Sequence, residues 1–314
     1  MNIAVLLKEM HQEGMLSSEQ LGILTELHLK KHFSIHRELR AAIYIGVLLI
    51  TAGVGLTIKQ YFVQLGDIAI IGSLTLGALA AFLYCFLKGK PYSNDLVEST
   101  NILFDYVLFF GCTFYATDIA YIETQFHVLG DLWHNYLLVS AALFFFLAYR
   151  FDNRLVLSMA LSTLAAWFGF QLSVRFPSLH HYYRESAIAY SIVTFLLGYS
   201  LHRLGKKKHF LDIYLNFTIH FLLLALLSGV IEYKIASWHF PAMVTAIVAI
   251  VAYSLRTQRF IYMLYAILYG YLCLGVVVFD FINDTAGRFL YAIISSIAVI
   301  CLILILSRKF KDSP

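Results

Sequence analysis

The 314-residue chain is 60% hydrophobic and 16% aromatic, with only 13% charged residues and a formal net charge of +4. So few charges cannot cover a water-facing surface, which excludes a soluble globular domain, and no nucleic-acid partner is indicated. The composition predicts an all-α, polytopic integral membrane bundle whose first partners are lipids.

Residues 1–39 form the one sizeable extramembrane segment and read as two short helices. Gly14 suits the left-handed position that closes the first, and Ser17 with Gln20 makes a capping box that opens the second. Leu21, Leu24 and Leu29 then alternate with Glu19, Glu26, Lys30 and Lys31, giving one apolar and one charged face. That face suits the membrane surface or a partner protein; a solvated hairpin preceding the first span is the plainer alternative. No cleavable signal pattern precedes the first span, so the amino terminus is expected to be retained.

Ten apolar runs follow, near 40–58, 67–87, 101–122, 132–149, 154–173, 186–202, 209–230, 239–255, 259–279 and 287–307. Each approaches the roughly 20 residues that cross a hydrocarbon core. The transmembrane domain therefore spans 40–307, and 308–314 is a basic tail. Most Lys and Arg residues fall in alternate segments: the amino-terminal piece, Lys88/Lys90, Arg150/Arg154, Arg203 with Lys206–Lys208, Arg256/Arg259, and Arg308/Lys309/Lys311. Such a bias predicts both termini in the cytoplasm and an even number of spans. Connections are short, as between antiparallel neighbours. Gly46/Gly53 and Gly77/Ala81 recur at helical spacing and predict close helix approach. Cys85, Cys112, Cys273 and Cys301 lie inside predicted spans without CxxC spacing and read as packing residues.

The stretch 41–58, AAIYIGVLLITAGVGLTI, the phrase EGMLSSEQ and the segment from Phe109, FFGCTFYATDIAYIETQFHVLGDLW, resemble a bacterial family of predicted membrane proteins of unknown function. The resemblance covers roughly the first 170 residues. It implies an inner-membrane architecture and no catalytic residues. Lys59-Gln60-Tyr61 stands where that family commonly has an Asn-Trp pair. Ten spans with both termini inside is also similar to the drug and metabolite transporter superfamily, although the halves show no convincing internal match.

Ionisable residues within spans are the candidates for chemistry, because each costs about 2.5–3.5 kcal/mol at a helix centre on insertion scales. Asp118, with Glu123 at the same helix end, suits cation binding or proton transfer; hydration near the outer interface or a bond to a neighbour is the structural alternative. Asp212, Asn216 and His220 recur every four residues, so they share one helix face over about 12 Å and form a candidate relay. The outer segments collect His127, His180, His239 and Glu232, ligand types for a transition metal that here lack any compact motif. Tyr262, Tyr265 and Tyr269 follow helical spacing and are candidates to line a cavity, with packing the alternative. Phe144-Phe145-Phe146 points around its helix and is expected mostly to meet lipid. Lys206-Lys207-Lys208 beside Arg203 reads as a basic cluster suited to anionic headgroups or to enforcing topology. No nucleotide loop or nucleophile elbow occurs, and no cofactor is expected. The leading expectation is a transporter, conduit or lipid-handling protein for a small solute. The alternatives are a membrane-embedded enzyme with an outward His/carboxylate site and an accessory membrane subunit.

Overall fold

The computed structural model describes residues 66–97, 102–175, 182–282 and 284–312, with isolated positions before Gly66. The described residues are helical, without strands. We number the helices α1 (Asp67–Lys88), α2 (Ile102–Phe126), α3 (Asn135–Phe151), α4 (Arg154–Arg175), α5 (Tyr182–Arg203), α6 (Leu211–Tyr233), α7 (His239–Thr257), α8 (Phe260–Phe281) and α9 (Thr285–Asp312). Single 3-10 turns, Gly130–Leu132 and Lys208–Phe210, precede α3 and α6.

Helix ends follow local chemistry. Asp67 occupies the first turn of α1 and Lys88 its last, each complementing the helix dipole. The α3–α4 turn is made by Asp152 in the left-handed conformation, φ 56°. Asn153 then caps α4, its side-chain oxygen accepting the Leu155 and Val156 N–H groups at 3.0 Å each. In the amino-terminal segment the capping box is present: the Ser17 N–H donates to Gln20 Oε1 at 3.0 Å and the Gln20 N–H to Ser17 Oγ at 3.2 Å. Gly14 and the rest of the 1–39 helical reading lie outside the described residues.

Chain neighbours pack as hairpins, α1 on α2, α3 on α4, α5 on α6 and α7 on α8. Helix α6 joins two apolar cores. Phe210 and Tyr214 at its start pack with Cys85, Leu108, Cys112, Phe144, Leu157 and Leu161. Further along, Leu223, Leu226 and Val230 pack with Met243, Tyr262 and Cys273. Gly77 opens the α1–α2 contact: a Cβ there would lie 2.5 Å from the Phe114 ring. Three cysteines are buried as expected, whereas Cys301 is exposed on α9, whose apolar turns lie outside both cores. The Phe triplet also differs from expectation, because Phe144 is buried and Phe145 stacks on Tyr214, leaving only Phe146 outward.

Among the described residues, six helices, α1, α2 and α6 to α9, are long and apolar enough to cross a membrane. The ten read from the sequence include 40–58, which lies outside the described residues. They also include α3, only 17 residues long, and α4, whose apolar stretch is similarly short. Helix α5 has membrane length, but Arg184, Glu185, His202 and Arg203 at its ends dilute its apolar character.

Candidate functional site

The two polar series read separately from the sequence meet along one seam. Asp212 at the start of α6 pairs with Arg259, the residue preceding α8. Two turns along α6, His220 Nδ1 lies 3.0 Å from the Tyr269 hydroxyl and its ring packs on Tyr265 at 4.4 Å between centroids. Contacts thus advance in the same direction on both helices, so α6 and α8 run parallel, as helices separated by one antiparallel neighbour must. Between the two pairs, the Asn216 side-chain oxygen is buried without a hydrogen-bond partner. His220 itself is exposed at the edge of the described residues. Tyr262 is fully buried, edge-on to Tyr253 at 5.2 Å, and packs the core.

Asp118 belongs to a different interface. It is 6% exposed, and one carboxylate oxygen accepts the Thr75 hydroxyl of α1 at 2.6 Å. Its other oxygen is buried without a partner, leaving a lone-pair site for a proton or a cation. Glu123 acts locally, its Oε2 accepting the Leu129 N–H at 3.2 Å and closing the turn after α2. His127, in that turn, adopts φ 47° and is exposed.

At the far end of α6, Arg184 pairs with Glu232 and lies over the Tyr233 ring, 5.1 Å from its centroid. His239, at the start of α7, stacks on Trp238 at 4.1 Å and on Tyr233 at 5.8 Å. Gly229 lets the His239 ring lie directly on the α6 backbone, in space a Cβ would fill. Arg184, Glu185, Tyr233, Trp238 and His239 line an open cleft of about 500 Å³. Among the described residues no three His, Cys, Asp or Glu side chains converge to hold a metal ion, and His180 lies outside them.

Residues 8–157 match the family described as predicted membrane protein (DUF2157). This is the family of unknown function that the amino-terminal half resembles. No curated protein and no solved structure matches the chain. The DUF2157 match takes in Asp118 and Glu123 but ends before α6, so both the seam and the cleft lie in the part of the chain beyond it.

A buried charge knot, missed in the sequence, ties the DUF2157-matching part to the rest. Asp152 accepts Lys207 Nζ at 2.8 Å, His209 Nε2 at 2.5 Å and the Val97 N–H at 2.6 Å. Lys207 is itself buried, also bonded to the Asp95 carbonyl at 3.2 Å and set over the Tyr92 ring. It is therefore withdrawn from any headgroup-binding cluster with Lys206 and Lys208. Burial raises the Asp152 carboxyl, but the bonds from Lys207, Val97 and His209 outweigh it and hold the group below the ordinary carboxylate range. Nothing in the run of three lysines marks the middle one, because its partner lies 55 residues away.

Proposed function

We propose that this membrane protein is a carrier or conduit for a small polar solute in the bacterial inner membrane, with ten spans, both termini cytoplasmic, and a path along the α6–α8 seam. The observation that carries this reading is the alignment of Asp212–Arg259, Asn216 and His220–Tyr265–Tyr269 along two parallel helices. Packing alone would be served by aliphatic side chains. Each polar group placed within hydrocarbon costs free energy, so a continuous row of them supports a route for a solute or a proton. A lipid headgroup handled at the seam edge belongs to the same class of cargo. Asp118, with its spare oxygen between α1 and α2, is the second polar point and suits a coupling cation or proton.

The test is flux in proteoliposomes loaded with a pH-sensitive dye, screened against small polar solutes with and without a proton gradient. His220→Ala and Asn216→Leu should each lower the solute flux by roughly tenfold or more, the loss of one transition-state interaction of about 1.4 kcal/mol. Asp118→Asn should remove its dependence on the proton gradient. Well-folded seam variants that carry wild-type flux would place the path elsewhere.

A further inference from the structure

We propose that the outer cleft between the ends of α5, α6 and α7 binds a neutral, polyhydroxylated ring, a sugar either free or carried as a lipid headgroup. Trp238 provides the platform. It is 59% exposed while one part of its indole stacks on His239, so apolar ring surface remains open at the mouth of the cleft. The C–H face of a pyranose matches such a surface.

The polar atoms behind the platform suit hydroxyl groups. His239 is 4% exposed, and both its ring nitrogens are buried without partners. A neutral imidazole offers one donor and one acceptor, the pattern that a hydroxyl group satisfies as acceptor and donor. Arg184, 7% exposed, has a buried and unpartnered Nε that supplies a further donor. Glu185 lines the cleft as an acceptor. Such unsatisfied buried groups penalise the empty site and favour a ligand that pairs with them.

Charge decides against ionic ligands. Arg184 is neutralised by Glu232, and the Glu185 carboxylate is opposed by the partial positive charge, roughly half a unit, at the amino end of α7. With these charges compensated, neither an anion nor a quaternary ammonium meets a full opposite charge left over in the cleft. The volume, about 500 Å³, lies within the range of small-molecule sites. Binding here does not require movement along the seam, so this inference stands apart from the transport reading.

The experiment uses the full chain in phosphatidylcholine nanodiscs prepared without glycoside detergents, which would compete. Saturation-transfer NMR with glucose, N-acetylglucosamine and maltose tests the free ligand. Thermal stability in discs doped with monoglucosyl diacylglycerol tests the headgroup. Ring-proton saturation from a soluble sugar, reduced roughly tenfold in Trp238→Ala and kept in Trp133→Phe, assigns a free sugar. Stabilisation confined to the glycolipid discs, with the same dependence on Trp238, assigns a headgroup. Absence of both responses, responses unchanged in Trp238→Ala, or binding of inorganic phosphate or choline in place of the sugars overturns the proposal.

Discussion

At the scale of single residues, the Asp152 knot shows how burial changes what a charge does. Asp152 and Lys207 are each 1% exposed at their side chains, so neither can recover hydration if its partner is lost. Breaking such a pair costs about 3–5 kcal/mol. Lys207→Met should therefore melt well below the wild type at pH 7. The carboxyl of Asp152 is lowered from 3.8 on folding, so its stabilising contribution is fully present above that pH. It is lost as the pH falls through the lower, folded value. Thermal melts stepped downward from pH 5 should thus show the gap between Lys207→Met and wild type narrowing below about pH 4. A gap that stays constant through acid would mean that the ion pair is not what the substitution removes. None of this was legible in the sequence, where Lys207 is one of three adjacent lysines and Asp152 one of several loop carboxylates.

At the scale of elements, glycines set how closely helices approach. Gly198 of α5 faces Tyr214 of α6, and a Cβ there would lie 2.5 Å from the Tyr214 Cβ. Tyr214 has little room to yield: it is fully buried, its ring stacks on Phe145 and its hydroxyl lies 3.1 Å from that of Tyr149. Gly198→Ala should destabilise by about 1–3 kcal/mol through overpacking. Gly275→Ala on α8, where a Cβ meets nothing within 4 Å, should be neutral or gain up to about 1 kcal/mol of helix propensity. Denaturation of the two variants side by side in one detergent checks this; equal stability would mean that α5 and α6 separate easily. The helices themselves were readable from apolar run lengths, and so was the Gly77 contact. Which rings pack on Gly77, Gly198 and Gly229 was not, because each ring comes from another helix.

At the scale of the whole molecule, the arrangement is a chain of hairpins joined through α6, whose residues enter both cores. The alternation of basic segments argues that the turn holding Lys206 faces the cytoplasm and the turn holding Ser237 faces outward. In intact cells, a membrane-impermeant maleimide should label Ser237→Cys and spare Lys206→Cys, and green fluorescent protein fused after Pro314 should fluoresce. External labelling at Lys206→Cys would invert the topology, and with it the assignment of the cleft to the outer face. The whole-molecule prediction depends on charge counting, whereas the path and the cleft depend on which helix faces meet.

The sequence by itself determined that the chain is helical and membrane-embedded, where most helices begin and end, and that Ser17 and Gln20 cap one another. These properties depend on residues within a few turns and on the cost of exposing backbone polar groups to hydrocarbon. It also placed Asp212, Asn216 and His220 on one face, since helical spacing alone requires it. Only the tertiary structure decided what faces them. It turned Tyr265 and Tyr269 towards His220, gave Asp118 to Thr75, drew Lys207 into the protein and left both nitrogens of His239 without partners. Hydrogen bonds and ring contacts need atoms within a few ångströms, and residues tens of positions apart come that close only when helices have chosen their neighbours.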